Sequence, residues 1–152
     1  MMREKHEGAP RGPMDLRVWL RLLSCAMRIE KRVRRRFVEL FDTTLPRFDV
    51  MASLDRAPDG QTMGELSKAL LVSNGNITAI VRQLKAKGLV VARVDPGDRR
   101  SAIVALTPEG KRQFDEMAAA HHEWIREMMT QFPPAKQKQL YELLGDLKKS
   151  IG

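Results

Sequence analysis

The sequence predicts a mainly α-helical fold with one small β-hairpin, and two observations support this prediction. Along most of the 152 residues an apolar residue recurs every three or four positions, which is the period of an amphipathic helix. Between Gly88 and Thr107 the pattern changes to two apolar, β-branched runs around an Asp-Pro-Gly turn. Runs of this kind favour two antiparallel strands.

The composition is that of a folded and strongly basic protein. Hydrophobic residues make up 43% of the chain and charged residues 30%, and 27 Lys and Arg against 19 Asp and Glu give a formal net charge of +8. This excess favours a polyanionic partner, which is either nucleic acid or an anionic membrane surface. The longest unbroken apolar run is the five residues Ala102–Leu106, so we expect neither a membrane-spanning helix nor a classical export signal.

Residues with catalytic or metal-binding chemistry do not form known motifs. The sequence holds no Gly-rich phosphate loop, no nucleophile elbow and no Cys/His set with zinc spacing. His121 and His122 are adjacent and point about 100° apart on a helix, so they do not form a chelating pair. Cys25 is the one cysteine, which excludes an intramolecular disulfide. We therefore expect a cytoplasmic protein that is not an enzyme, with no catalytic residues, no metal site and no cofactor.

The chain begins with a predicted arm and a predicted long helix. Residues 1–13 have no periodic apolar set, so they form a flexible arm that is either a disordered terminus or a contact to a DNA minor groove. From Asp15 to about Asp42 no Gly or Pro interrupts a helical apolar stripe. A helix of about 28 residues is too long for so short a chain to cover, so residues 14–45 are predicted to form a dimerisation helix. The stripe consists of Trp19, Leu22, Ala26, Ile29, Val33, Phe37 and Leu40.

Residues 46–106 are predicted to begin with two helices. The first runs from about Pro46 to Arg56, because proline suits the first helical position, and a turn follows at residues 57–60. Thr62 and Glu65 have the spacing of a capping box, in which each residue's side chain accepts from the other's backbone N–H. This box opens a short helix through Leu70.

A further helix and the hairpin complete this segment. Ser73 is a candidate N-cap for a helix that runs to about Lys87, with Gly88 as its stop. The hairpin strands are predicted at residues 89–94 and 101–106, joined by a charged tip of six residues. The residues of the helix that turn inward are Ile77, Val81 and Leu84.

Residues 107–152 are predicted to form C-terminal dimerisation helices. Thr107 caps the first of them and Pro108 takes its first position. Its apolar stripe extends from Phe114 to Phe132, where Pro133 and Pro134 end it. A last helix carries Leu140, Leu143, Leu144, Leu147 and Ile151.

The order of these elements predicts a winged helix-turn-helix that binds double-stranded DNA. The second short helix fits the major groove of B-DNA, and the hairpin tip reaches toward the adjacent minor groove. From Arg82 to Arg100 there are six cations against Asp95 and Asp98. A merely solvated, charged face is the alternative. The residues predicted to face DNA on the helix are Asn74, Asn76, Thr78, Arg82 and Lys85.

Three segments resemble the MarR family of transcriptional regulators. Residues 66–88 are similar to its helix-turn-helix, residues 95–101 to its D-x-x-D-x-R wing signature, and residues 106–110 to the L-T-x-x-G that opens its long dimerisation helix. The resemblance covers about residues 15–150. It implies a dimer interface built from both chain ends, a winged domain on each subunit, and a repressor that a small aromatic ligand releases from DNA.

The resemblance also implies roles for the wing. Arg100 is expected to enter the minor groove, Asp98 to brace this arginine, and Arg99 to lie near phosphate at the wing tip. Ser73, at the start of the recognition-type helix, completes the predicted DNA-binding set. The implied operator is a pseudo-palindrome read by a homodimer.

Two strings, residues 47–51 and 72–78, resemble regulators of aromatic-acid catabolism, several of which respond to aryl-CoA thioesters such as hydroxycinnamoyl-CoA. The resemblance implies that the effector is an aromatic acid or its CoA thioester. Six of the nine residues from Arg28 to Arg36 are basic. They form either a solvated cationic face or a site for CoA phosphates. Arg28, Lys31, Arg32 and Arg35 are expected to face away from Ile29 and Val33.

The large aromatic residues give the remaining ligand candidates. Trp19, Phe48 and Trp124 are expected near the junction of the long helices with the second helix, either as core or as a pocket for a planar ligand. Arg47, beside Phe48, is a candidate partner for a carboxylate or phosphate. The predicted ligand-binding residues are therefore Trp19, Arg28, Arg32, Arg34, Arg36, Arg47, Phe48 and Trp124.

The leading hypothesis is a ligand-responsive, DNA-binding repressor of catabolic genes that does not bind membranes. Three alternatives remain: an architectural protein that coats DNA without an effector, a winged domain used only for protein contacts, and a thiol-oxidant sensor through Cys25. Cys25 lies in the middle of a predicted helix, where no helix N-terminus stabilises a thiolate. This position favours an unreactive, partly buried thiol.

Overall fold

The structure is a computed structural model that describes residues 12–70 and 74–152. Most of the predicted arm and the predicted N-cap Ser73 lie outside these residues. Within the described ranges the helices and strands confirm the mainly α-helical prediction with a small β-wing. They are α1 (Met14–Phe41), α2 (Leu45–Asp55), β1 (Gln61–Thr62), α3 (Met63–Leu70), α4 (Asn74–Ala86), β2 (Val90–Asp95), β3 (Asp98–Leu106), α5 (Pro108–Met128) and α6 (Pro134–Ile151). Of the helices in these ranges, none has the length and apolar character needed to cross a lipid bilayer.

The first helix, α1, is unbroken over 28 residues, as the apolar spacing predicts. Its C-terminal half packs into the chain, because Val33 and Phe37 are buried. Its N-terminal half is less covered: Ser24 is its one buried residue, and Trp19 is 53% exposed. Leu40, predicted to lie on the buried stripe, is 59% exposed. Three residues turn a helix by about 300°, so Leu40 lies about 60° away from the buried direction of Phe37.

The second helix, α2, brings one aromatic residue into a cluster of six rings. α2 begins one residue before the predicted Pro46, because the Arg47 N–H donates to the Thr44 hydroxyl at 3.4 Å and Thr44 is the N-cap. The Phe37 ring lies 4.7 Å from the Phe48 ring and 4.9 Å from the Trp124 ring, measured between centroids. The aromatic cluster, which joins α1, α2 and α5, consists of Phe37, Phe41, Phe48, Phe114, His121 and Trp124.

The predicted capping box and the two short helices that follow it are confirmed, while residues 71–73 between these helices lie outside the described part of the chain. The Glu65 N–H donates to Thr62 Oγ1 at 3.1 Å, and the Thr62 N–H donates to Glu65 Oε2 at 3.2 Å. These bonds pair two donors that a helix N-terminus otherwise leaves without a partner. α4 ends before Gly88, whose φ of +73° suits glycine at a helix C-terminus. The side chains that anchor α4 are Ile77, Val81 and Leu84, all buried as predicted.

The hairpin has a longer second strand and a shorter tip than the sequence predicts. β2 and β3 pair antiparallel from Val90 opposite Leu106 to Asp95 opposite Asp98. Only Pro96 and Gly97 lie between the strands, so the prediction of a six-residue tip is wrong. Backbone pairing overrides the turn-forming composition of residues 95–100, and both wing arginines lie in β3.

A third strand, β1, is absent from the sequence prediction. Its two residues pair with β3, Gln61 opposite Val104 and Thr62 opposite Ile103, so the sheet order is β1-β3-β2. A strand of two residues has no measurable period, and only its partner identifies it. Gly60 enters this strand with a φ of +92°, and a Cβ atom there would lie 2.7 Å from the Val104 carbonyl oxygen.

The start of α5 is tied to the entry of β2. Thr107 caps α5 as predicted: the Gly110 N–H donates to its hydroxyl at 3.0 Å, and the hydroxyl donates to the Gly88 carbonyl at 2.7 Å. Gly110 passes Leu89 so closely that an added Cβ would lie 2.0 Å from the Leu89 carbonyl oxygen. The Leu-Thr-x-x-Gly string is therefore the point at which α5 docks on the winged part of the chain.

The C-terminal helices end differently from the prediction. α5 ends at Met128, and a turn separates it from α6, so the predicted helix end near Phe132 is four residues late. α6 contains no buried residue. Its Leu143 and Ile151 are 64% and 76% exposed, which leaves the apolar side of the predicted last helix uncovered by this chain.

Candidate nucleic-acid interface and ligand groove

The outward side of α4 carries the polar side chains that the sequence predicts for DNA contact. Asn76, Thr78, Arg82 and Lys85 are all exposed, and the buried side of the same helix is apolar. The backbone of Asn74 begins the helix, whereas the side chain of Asn74 and the whole of Ser73 lie outside the described part of the chain. An exposed row of amide, hydroxyl and cationic groups has the donors and acceptors that can bond to base edges and phosphates.

Two aspartates shape the hairpin through backbone hydrogen bonds. Asp95 Oδ1 accepts the Gly97 N–H at 2.9 Å, and Asp98 Oδ1 accepts the Arg100 N–H at 3.0 Å. The resemblance implies that Asp98 braces Arg100, and the bond reaches the backbone of Arg100. Among the described residues no acidic side chain pairs with the Arg100 guanidinium, which is exposed on β3. The two carboxylates thus fix the turn and leave both wing arginines available.

A third wing cation has a structural partner. The Arg93 guanidinium donates to the Asp59 carbonyl oxygen at 3.2 Å. This bond ties β2 to the loop before β1. Arg93 therefore contributes to the position of the wing, in addition to its charge.

A groove lies between α1 and the C-terminal end of α5. One cavity of about 540 Å³ and a second of about 340 Å³ are both lined by Arg32 and Met128, so we describe them together as the α1–α5 groove. The larger cavity is lined also by Arg35, Arg36, Glu39, Leu40, Trp124 and Glu127. The smaller one is lined also by Cys25, Arg28, Ile29 and Phe132.

The arginines of this region differ in their partners. The Arg36 guanidinium lies 3.5 Å from the Glu127 carboxylate across the groove, Arg35 bonds to Glu39 at 2.9 Å, and Arg34 lies 3.9 Å from Glu30. In the described ranges Arg28 and Arg32 have no such carboxylate. These two arginines can therefore bind an anion without losing an existing ion pair.

The prediction that Arg28 and Arg32 face away from Ile29 is wrong, because all three line the smaller cavity. Residues at i, i+1 and i+4 of a helix cover an arc of about 100°, and long arginine side chains reach around it. Four basic side chains, five large apolar ones and two carboxylates thus border one groove.

Of the predicted ligand-binding residues, Arg28, Arg32, Arg36 and Trp124 line the groove and the others do not. Trp19 lies 18 residues before Phe37, which is about 27 Å along the helix axis, so it is not near the helix junction as predicted. Phe48 is buried in the aromatic cluster. Arg47 instead bonds to α4: its Nε donates to Gln83 Oε1 at 2.9 Å. Arg34 is paired on the other side of α1.

Several groove residues were not predicted. Arg35, Glu39 and Leu40 follow Arg32 at steps of three, seven and eight, so the helical period was a signal for them. Glu127 and Met128 had no comparable signal, because their position depends on how α5 crosses α1. Gln83, the partner of Arg47 outside the groove, also had no sequence signal, because it lies 36 residues from Arg47 in the chain.

His121 lies within the aromatic cluster. Its imidazole stacks on Phe37 with centroids 6.0 Å apart and lies 5.0 Å from the Phe48 ring. Burial lowers the pKa of His121, and the neighbouring His122 lowers it further. The fold therefore favours the neutral imidazole.

Comparisons with known sequences give one family. Residues 41–101 match a family model described as MarR family. The chain is 31% identical over 104 residues to the transcriptional activatory protein BadR of Rhodopseudomonas palustris, which covers 67% of this chain and 59% of BadR. It is 41% identical over 75 residues to the transcriptional repressor NicR of Pseudomonas putida, which covers 49% of this chain and 46% of NicR.

A solved structure agrees over nearly the whole chain. The crystal structure of a MarR family transcriptional regulator from Silicibacter pomeroyi superposes with a TM-score of 0.79 at 29% identity, covering 95% of this chain and 99% of that one. The matches to curated relatives cover less of each protein: the chain spans about three fifths of the length of the first relatives, from 59% to 64%. The relatives named here are transcriptional regulators and not enzymes, in agreement with the sequence prediction.

Proposed function

The chain belongs to the MarR family of winged helix-turn-helix transcriptional regulators, and we propose that it is a homodimeric repressor released from DNA by an aromatic, anionic ligand. The observation that carries DNA binding is the exposure of Asn76, Arg82 and Lys85 on α4 together with Arg99 and Arg100 on the wing. α4 enters a major groove, and Arg100 reaches the adjacent minor groove. The net charge of +8 supports this partner through release of counterions from DNA.

Apolar side chains exposed at both chain ends support a homodimer. Trp19 on α1 and Leu143 and Ile151 on α6 are more than half exposed. Large apolar surfaces of this kind are seldom left in water. A second copy of the chain covers residues 14–45 and 107–152 in the proposed dimer. The two copies of α4 then face successive major grooves of a pseudo-palindromic operator.

The α1–α5 groove is the proposed ligand site. Its larger cavity of about 540 Å³ lies within the usual size of small-molecule pockets. Trp124 and Met128 offer apolar contact to an aromatic ring, while Arg28 and Arg32 offer charge to an anion. This combination supports an aromatic acid or its CoA thioester as effector. The ligand binds best to a dimer whose recognition helices are wrongly spaced for the operator.

The direction of regulation rests on the resemblance of the sequence to regulators that a ligand releases from DNA. The name of NicR as a repressor supports it, whereas BadR is named as an activatory protein. The proposed targets are genes for aromatic catabolism, because residues 47–51 and 72–78 resemble regulators of aromatic-acid catabolism.

Selection of duplexes from random DNA by the purified protein tests the proposed function. The selected duplex and an unrelated one are compared at matched salt concentration. A regulator prefers the selected duplex by roughly 1000-fold or more. Equal, salt-dependent binding to both supports an architectural protein, and no binding to either supports a domain used for protein contacts; both results contradict the proposal.

A further inference from the structure

Two adjacent residues of α2 point to opposite parts of the molecule. Phe48 packs its ring in the aromatic cluster, 4.7 Å from Phe37 and 5.5 Å from Phe114. Arg47 leaves the same turn toward α4, where its Nε donates to Gln83 Oε1 at 2.9 Å. The backbone N–H of Arg47 is itself held by the Thr44 cap. The side chain of Arg47 therefore extends from a backbone that is fixed on the helical core.

We propose that Arg47 is a positioning residue that sets the orientation of the recognition helix through Gln83, and so governs operator preference without contact to DNA. The proposal rests on the proposed DNA-binding function. It changes the role predicted for Arg47, which the sequence places among the ligand-binding residues.

The other contacts that hold α4 are apolar, and they allow a single hydrogen bond to set its orientation. Ile77, Val81 and Leu84 anchor α4 through apolar packing, which is non-directional. A hydrogen bond depends on angle as well as distance. Gln83 lies between Arg82, which is exposed toward the proposed DNA side, and Leu84, which is buried. Fixing Gln83 therefore fixes the rotation of α4 about its buried anchor.

The chemistry of the pair defines the direction of the bond. A guanidinium has five donors and no acceptor, so the Gln83 amide must present its oxygen to Arg47. A bond from a charged donor is stronger than one between neutral groups. Gln83 is exposed and Arg47 is half-buried, and neither belongs to the apolar core, so we expect variants without the bond to remain folded.

A double-mutant cycle on the full-length protein tests the proposal. The four proteins are the natural one, Arg47→Met, Gln83→Leu and the double variant, with Arg56→Met as a matched control that removes an exposed arginine from the end of α2. Affinity for the duplex selected by the natural protein and for an unrelated duplex is measured over a range of salt. We expect each single variant to lose roughly 5-fold to 30-fold in affinity for the selected duplex only. The double variant loses no more, the salt dependence is unchanged, and Arg47→Lys restores part of the loss.

Other roles of Arg47 give different results. If Arg47 contacts a phosphate, Arg47→Met weakens binding to both duplexes, lowers the salt slope by about one, and adds to the effect of Gln83→Leu. If Arg47 contacts the ligand, Arg47→Met leaves DNA binding unchanged. Either result overturns the proposal.

Amide hydrogen exchange in the absence of DNA gives a second readout. Arg47→Met and Gln83→Leu are expected to raise exchange in residues 74–86 to the same extent, and Arg56→Met is expected to leave it unchanged. Unchanged exchange in both variants contradicts the positioning role. If the proposed function itself fails, the natural protein selects no DNA sequence. The exchange experiment is done without DNA, so it still shows whether the Arg47–Gln83 bond orders α4.

Discussion

Gly110 lies against the backbone of Leu89, and a Cβ atom on it would stand 2.0 Å from the Leu89 carbonyl oxygen. Since the Leu89 carbonyl oxygen accepts the Thr107 N–H at 3.0 Å and cannot move as a side chain can, Gly110→Ala must displace α5 from the residues that lead into β2. We expect a loss of about 2 kcal/mol or more in the free energy of unfolding, measured by urea denaturation. Gly145→Ala is the matched control, because nothing lies within 4 Å of its site in α6. It should stabilise by up to about 1 kcal/mol through helix propensity; equal effects of the two changes would contradict this packing.

The stability of the protein should fall with decreasing pH because of His121. Burial lowers the pKa of the folded imidazole from its ordinary value of 6.5, so the unfolded chain binds this proton more readily. The stabilisation is fully present above 6.5 and is lost as the pH falls through the folded pKa. Urea unfolding at pH 8 and pH 5 should show a smaller pH effect in His121→Gln than in the natural protein. His122→Gln removes the smaller of the two causes of the shift, so it should reduce the pH effect by less than His121→Gln does; identical pH dependence in all three would refute the assignment.

The groove predicts which anions bind. An aryl-CoA thioester, tested as 4-hydroxycinnamoyl-CoA, should bind more tightly than its free acid by roughly 10-fold to 1000-fold, because CoA phosphates take charge-assisted hydrogen bonds from arginine. Replacing Arg28 and Arg32 together with alanine should remove most of this difference in calorimetry. Arg34→Ala is the control, since Arg34 pairs with Glu30 and does not line the groove. Equal affinity for acid and thioester, or an equal loss in the control, would exclude this ligand site.

Arg100 should contribute a phosphate or minor-groove contact from the wing. Arg100→Ala is expected to weaken binding to the selected duplex and to lower the slope of log affinity against log salt by about 0.9. Lys138→Ala removes an equal charge from α6 and should leave the slope unchanged. A slope that Arg100→Ala does not alter would remove Arg100 from the interface.

Local signals in the sequence account for much of the fold. The Thr62–Glu65 capping box and the Thr107 cap were predictable, because each depends on residues three positions apart. The buried face of α4 followed from the helical period. The two-residue strand β1 was not predictable, since its only support is pairing with β3.

The site was less predictable than the fold. The basic run of α1 and the polar face of α4 are visible in the sequence, but the partners of each side chain are not. Trp19 and Trp124 are both aromatic residues of the type that can contact a planar ligand, so residue type does not distinguish them. Trp19 is remote from the groove only because it lies about 27 Å along α1 from Phe37, at about 1.5 Å per residue. The Arg47–Gln83 bond joins residues 36 positions apart, so no local pattern could indicate it.

Footprinting of the natural protein on its selected duplex tests whether it is a dimeric, sequence-specific regulator. We expect one dimer to protect two half-sites whose centres lie about 10 bp apart, because two copies of α4 enter successive major grooves on one side of the DNA. Sedimentation of the same sample should show the dimer. A single asymmetric half-site, or protection that spreads along any duplex without preference, would contradict the proposed sequence-specific, dimeric regulator.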